Sequence, residues 1–169
     1  MARYRLIPES SKVWAEARSS LHPIRSETSG LEGYIEAEIA EGRADLSVAP
    51  KARVQLDAAR VKTGNPLYDT ELSRRLETRK YPRITGEVRE VKALAANRYH
   101  VKGDLSFHGV THSVEGDVTL RIVNDTTIEL EGENVIDIRK FGLEPPRLLM
   151  LKVYPDVRIR GRVLAERES

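Results

Sequence analysis

The residues best suited to chemistry lie in one short run, His108-Gly109-Val110-Thr111-His112, whose two imidazoles are four positions apart. On a helix that spacing puts both rings on one face, the arrangement of a two-histidine zinc site. The run lacks the glutamate of such sites, and the residues around it alternate apolar with polar, which predicts extended chain. A strand rising about 3.3 Å per residue separates the two rings by roughly 13 Å. No metal site is expected, and His108 is expected to hydrogen-bond backbone in a turn at Gly109. Ser19, Ser20 and His22, and the pair Asp69 and Glu71, are residue types of hydrolytic sites. No nucleophile elbow or oxyanion arrangement accompanies them. Asp69 falls near a helix N-terminus, where a carboxylate is favoured electrostatically. No catalytic residue and no cofactor are assigned. Arg74, Arg75, Arg79, Lys80 and Arg83 crowd the end of that helix and the start of the next strand. They form either a solvated face or, at Arg75 and Arg79, a cationic rim able to hold a phosphate or carboxylate head group.

The elements that position these residues emerge from patterning. The chain has 169 residues, enough for one domain spanning 1–169, and contains no cysteine, which excludes disulfides and thiolate metal sites. Its 28 basic and 26 acidic residues are interleaved, and only 5% of residues are aromatic. A nucleic-acid binder would gather one sign of charge and interleave it with stacking positions, so no nucleic-acid partner is expected. The first residues, Met1-Ala2-Arg3-Tyr4-Arg5, carry charge where a secretion signal needs an apolar run, and no stretch is long and apolar enough for a membrane helix. The expectation is a cytoplasmic protein.

Period-two alternation recurs from end to end. Val13, Ala15, Ala17, Ser19 and Leu21 share one face. So do Ile35, Ala37 and Ile39; Ala52, Val54, Leu56 and Ala58; Ile84, Gly86 and Val88; and Tyr99 through Phe107 at every second position. Val114 to Ile122, Ile128 with Leu130, and Val157 to Val163 repeat the pattern. About eight half-buried strands with little helix to cover them must close on themselves or stack as a sandwich, and the short polar turns between them favour antiparallel neighbours. The expected fold is all-β, a single extended eight-stranded antiparallel barrel. One segment breaks the alternation. Asn65 is a suitable N-cap, Pro66 fits the first helical position, and Tyr68, Leu72 and Leu76 recur at helical spacing, which predicts a short helix at about 65–76 lying across a barrel end.

The face assigned to the interior is rich in small residues: Ala15, Ala17, Ser19, Ala37, Ala52, Ala58, Gly86, Gly103, Gly116 and Gly161. An eight-stranded barrel is just wide enough to be filled by side chains or to hold one small ligand, and small residues favour the void. Glycines that mark bends or bulges are the alternative, though the alanines of the first strands do not fit it.

The most specific sequence feature is Gly103-Asp104-Leu105-Ser106-Phe107-His108-Gly109-Val110-Thr111-His112-Ser113-Val114, which resembles the "GdLtihGvTrpV" signature of the YceI-like family. Thr63-Gly64-Asn65 with Asp69 and Leu72 after it, then Lys80-Tyr81-Pro82, then Arg139-Lys140-Phe141-Gly142-Leu143 match further pieces in order. The resemblance covers nearly the whole chain and implies a lipocalin-like barrel that encloses a long apolar tail, as in polyisoprenoid-binding proteins. The chain departs from the family pattern at several positions. Ala15 and Ser19 stand where an aromatic and a histidine are usual in the first strand. Leu76 and Glu77 replace two phenylalanines, and Glu71 replaces a histidine.

Together these features predict an apolar interior site built from Val13, Ala15, Ala17, Ser19, Ile35, Ala37, Val54, Leu56, Leu72, Leu76, Ile84, Val88, Leu105, Phe107 and Phe141. The expected role is sequestration or transport of an isoprenoid, quinone or fatty-acyl molecule without a covalent step. A small enzyme acting on an apolar substrate in the same cavity, and a filled barrel serving as an interaction module, are the alternatives. The apolar run after Pro145-Pro146-Arg147, Leu148-Leu149-Met150-Leu151, is a candidate lid, buried strand or homodimer contact.

Overall fold

Alternating side chains make strands that are dry on one face and wet on the other, and the computed structural model, which describes residues 1–145, 147–148 and 150–169, closes them into a barrel. In chain order the strands are β1 (Ala2–Leu6), β2 (Lys12–Ser19), β3 (Ile24–Ser29), β4 (Glu32–Ala40), β5 (Arg43–Asp45) and β6 (Lys51–Asp57). After helix α1 (Pro66–Leu76) come β7 (Arg83–Ala95), β8 (Arg98–Phe107), β9 (Val110–Ile122), β10 (Thr127–Asp137), β11 (Arg147–Leu148) and β12 (Leu151–Arg167). Every pairing is antiparallel, in the order β1-β4-β6-β7-β8-β9-β10-β12, and β1 pairs β12 to complete the ring.

Two of the staves are bent. β12 pairs β2 through Val153–Arg162 and β1 through Ala165–Arg167, so β1 and β2 act as one stave interrupted by a 3₁₀ turn at Pro8–Ser10. Ser11, with no exposed surface, secures the joint: its Oγ accepts from Leu164 N at 3.2 Å and donates to Leu164 O at 3.3 Å. β3 and β4 form the next stave, bent at Gly30 and Leu31, with Gly30 N donating to Pro8 O at 2.9 Å. β4 pairs β6, but among the described residues no ladder joins β3 to β6. The chain leaving β6 occupies that side, first as a 3₁₀ turn at Ala58–Arg60 and then as α1.

The helix begins as the sequence predicts, with Asn65 Oδ1 accepting from Leu67 N at 3.0 Å and Tyr68 N at 3.4 Å. It ends at Glu77, which adopts the left-handed conformation (φ 49°) of a helix C-terminus. Two apolar clusters pack the interior, one at the β1–β12 seam and one against α1. Tyr4, Leu6, Ile35, Tyr99, Leu120 and Ile128 pack one, where Tyr99 Oη accepts from Ala44 N at 2.9 Å. Leu76, Phe107, Ile138, Phe141 and Leu143 pack the other, with Phe107 and Phe141 stacked at 4.3 Å.

Two expectations need correction. Leu21 does not continue the dry face of β2: the strand ends at Ser19, and Leu21 is 80% exposed in the turn between β2 and β3. The Leu148–Leu151 run is not one buried strand, since Leu148 pairs with Leu151 to close a hairpin, with Leu151 buried and Met150 exposed. Pro146 and Leu149, part of the same expectation, lie outside the described residues. Among the described residues no helix is long and apolar enough to cross a membrane.

Candidate apolar cavity

Against the second cluster, beside α1, the interior is open. An almost wholly apolar cavity of about 300 Å³ lies against α1, lined by β2 (Val13, Ala15, Ala17), β3 (Ile24, Ser26, Thr28), β6 (Val54, Leu56), β7 (Ile84, Gly86), β8 (Leu105, Phe107), β10 (Ile136) and β12 (Val153, Val157, Ile159). Leu72 and Leu76 of α1, with Val61, Thr63, Ile138 and Leu143, complete its wall. A second space of about 290 Å³ adjoins it at the glycine-rich waist, where Val54, Gly86, Leu105 and Ile159 line both. Pockets of this size and lining accept apolar small molecules.

The glycines at the waist serve two purposes. A Cβ on Gly103 would lie 2.4 Å from Glu87 O, so this glycine permits close strand approach. A Cβ on Gly161 would meet nothing within 4 Å, so this one leaves space. Asn134, the amide in this chamber, is tied to the wall by its Nδ2 donating to Glu115 O at 2.7 Å.

The helix that walls the main cavity is anchored at both ends. Asp69 accepts from Thr63 N at 2.6 Å, Thr63 Oγ1 at 2.8 Å and Gly64 N at 3.2 Å. Burial works against its charge, but these hydrogen bonds outweigh it and hold the carboxyl below its ordinary pKa. That is a structural role, and it accounts for Asp69 without catalysis. At the other end His108 sits in the β8–β9 turn, where it and Gly109 both have positive φ (54° and 74°), as a two-residue hairpin turn requires. Its Nδ1 lies 3.1 Å from Phe141 O and its Nε2 2.8 Å from Glu77 Oε2, which binds the hairpin to the helix end. His112 is on β9, edge-on to Phe141 at 5.4 Å, and among the described residues no three metal-binding side chains converge.

This barrel, its α1 wall and the β8–β9 hairpin correspond to a known family: a YceI-like domain is matched over residues 4–165. The chain belongs to the YceI-like family. BcnA of Burkholderia cenocepacia superposes with a TM-score of 0.78 at 20% identity, covering 94% of this chain and 98% of that one. A polyisoprenoid-binding domain from Saccharophagus degradans, implicated in plant cell wall breakdown, gives 0.75 at 16% identity over 98% of each chain. A Campylobacter jejuni YceI protein gives 0.71 at 17% identity over 86% of each chain. Among curated proteins none matches this chain.

Within this YceI-like barrel, Val13, Ala15, Ala17, Val54, Leu56, Leu72, Leu76, Ile84, Leu105 and Phe107 all line the main cavity. Five other residues predicted from the sequence lie elsewhere. Ile35 and Ala37 are buried in the packed end with Tyr4 and Tyr99, because β4 belongs to the half of its stave that continues past the cavity. Val88 faces the second chamber. Phe141 stands behind Phe107, 1% exposed, and so supports the wall without forming it. Ser19 ends β2, and its Oγ accepts from His22 N at 3.1 Å to shape the turn.

The arginines predicted to form a rim lie on α1 and just beyond its end. Arg75 Nε donates to Glu71 Oε1 at 2.9 Å, Arg74 donates to the same carboxylate, and these bonds keep Glu71 below its ordinary pKa. Arg79 lines a cleft of about 940 Å³ beside α1 together with Arg74 and Lys80. On β3, Arg25 lies between the inward-facing Ile24 and Ser26 and turns its side chain outward to pair with Glu16 at 2.9 Å. Sequence reasoning missed the β3 lining because Ser26 and Thr28 are hydroxyl residues that show no apolar alternation. It missed Ile138 and Leu143 because they begin and follow a 3₁₀ turn, which has no period-two pattern, and Ile136 because Gly132 and Asn134 interrupt the apolar face of β10.

Proposed function

We propose that this protein binds an apolar, chain-like small molecule inside the barrel, an isoprenoid, quinone or fatty-acyl compound, and sequesters or carries it without covalent chemistry. The supporting observation is the open apolar interior: a cavity of about 300 Å³ with a second chamber against it, in a barrel packed at the seam end and walled by an apolar cluster at α1. Burial of a hydrocarbon tail there is favoured by about 25 cal/mol per Å², less the cost of ordering the ligand. Few polar groups line the main cavity, and hydroxyls such as Thr28 and Thr63 give orientation rather than reactivity. The polyisoprenoid-binding description of the Saccharophagus degradans domain accords with this ligand class.

Mass spectrometry of an organic extract of the purified protein, together with titration of a fluorescent fatty acid, tests the reading. The wild type should carry or take up one apolar molecule. Ala17→Phe, which projects a ring into the main cavity, should abolish uptake while the protein stays folded. A clean extract with no uptake by the wild type would overturn the proposal.

A further inference from the structure

Two turn tips stand side by side at the α1 end of the barrel. Ser20, in the β2–β3 turn, donates its backbone N–H to Lys152 O at 2.9 Å, and Lys152 N donates to Ser20 Oγ at 3.1 Å, so this turn is stitched to the β11–β12 hairpin. Each tip carries a large apolar side chain in solvent: Leu21 is 80% exposed and Met150 is 96% exposed. A single exposed leucine is ordinary, but two such residues on adjoining tips of one molecule form a shared apolar point.

Directly behind the tips comes positive charge around an aromatic ring. Arg18 and Lys152 lie 5.5 Å and 5.8 Å from the centroid of Tyr154, among the described residues neither is paired with a carboxylate, and exposed Arg147 is on β11. The acid on β2, Glu16, is engaged with Arg25. One residue further in, Ala17 and Val153 line the apolar cavity. The order along this end, apolar point, cations with tyrosine, then the barrel body with its cavity, matches the layers of an anionic bilayer counted outward from its interior: acyl boundary, phosphate, solvent.

We infer that this end of the protein docks on an anionic lipid surface, with Leu21 and Met150 entering the acyl boundary and Arg18, Arg147 and Lys152 meeting lipid phosphates. The inference rests on the proposed apolar-ligand function, because docking here brings the cavity to the source of its ligand. A second copy of the chain is a poorer fit, since an isologous contact through these tips would set the three cations against their own images.

The test is co-sedimentation of the full chain with extruded vesicles of phosphatidylcholine alone or of phosphatidylcholine mixed equally with phosphatidylglycerol. The wild type should bind the mixed vesicles, more weakly as salt rises, and bind the neutral ones poorly. Lys152→Ala should weaken binding about fivefold, the worth of one cation at such a surface. Leu21→Glu with Met150→Glu should weaken it at least tenfold, yet leave uptake of a fluorescent fatty acid delivered from cyclodextrin unchanged. A Leu21→Trp variant provides a reading that needs no loss of binding: on mixed vesicles its emission should shift to the blue, beyond any change in the wild-type emission of Trp14. Wild type that ignores anionic vesicles, a Leu21→Trp emission that moves no more than the wild type's, or a dimer in sedimentation that the double glutamate variant dissociates would each overturn the docking inference. Vesicle binding by a wild type that takes up nothing from cyclodextrin would uphold docking and overturn the cavity reading instead.

Discussion

Single atoms decide how much change this barrel tolerates, and the glycines show it most clearly. Gly33 has φ 142°, and a Cβ there would lie 1.9 Å from Arg53 O on the neighbouring strand, so Gly33→Ala must push β4 away from β6. A loss of about 3 kcal/mol or more is expected in urea unfolding. Gly161→Ala meets open space and should change stability by less than about 0.5 kcal/mol. Equal losses at the two sites would mean that the waist is filled. A second residue-scale prediction concerns Glu129, which faces outward yet is buried between Arg121 (2.7 Å) and Arg162 (2.8 Å). Hydrogen bonds from Arg121 and then Arg162 lower its pKa from 4.5 to about 2. Because the folded value is depressed, its stabilisation is complete above the unfolded pKa and is lost as pH falls from about 5 toward 2. Both arginines are half exposed, so solvent screening reduces the contribution to about 1–2 kcal/mol. Glu129→Gln should therefore flatten the stability profile across that acid range. A variant that keeps the wild-type slope would show that other carboxylates carry it.

Elements that the sequence makes plain are those whose inner face is apolar. β2, β6, β7, β8 and β9 keep closely to period two, and α1 is bounded by Asn65, Pro66 and the Leu72 and Leu76 stripe, so strands, helix and most of the cavity wall can be read from residue order alone. β3 cannot, because Ser26 and Thr28 point inward and only Ile24 marks the face. β1 is obscured for a different reason: Tyr4 and Leu6 are buried, but Arg3 and Arg5 on either side of Tyr4 give the segment a charged character. Nor can residue order show that two staves are bent, since that depends on Ser11 reaching Leu164 far along the chain. The helix supplies the prediction at this scale. Asn65→Ala removes the oxygen that accepts from Leu67 and Tyr68, at a cost of about 1 kcal/mol. Because Leu72 and Leu76 wall the cavity, fraying of α1 should also weaken uptake of a fluorescent fatty acid. Full affinity in a variant whose helix amides exchange faster would separate the helix from the site.

For the molecule as a whole, the seam is the place where closure is least redundant. β10 and β12 share a ladder from Thr127↔Glu166 to Asp137↔Asp156, whereas β1 meets β12 only at Tyr4↔Arg167, Arg5↔Glu166 and Leu6↔Ala165. Glu168 N extends this short ladder by donating to Arg3 O at 2.8 Å, Arg167 N ties β12 to the β10 side by donating to Thr126 O at 2.7 Å, and Ala165 has no exposed surface. Removing residues 165–169 should therefore release β1 from β12 while β7, β8 and β9 keep their ladders, and β1 amides should exchange far faster than those of β8 in hydrogen-exchange mass spectrometry. The cavity is at the other end, walled by α1, β2 and β3, and separated from the seam by Tyr99, Leu120 and Ile128, the part of the packed cluster outside β1 and residues 165–169. If that cluster plugs the barrel on its own, the shortened protein should lose stability yet still take up a fatty acid at temperatures where it remains folded. If uptake disappears while β8 stays protected, the seam and the cavity form one cooperative unit, and the packed end is part of the binding apparatus rather than a plug above it.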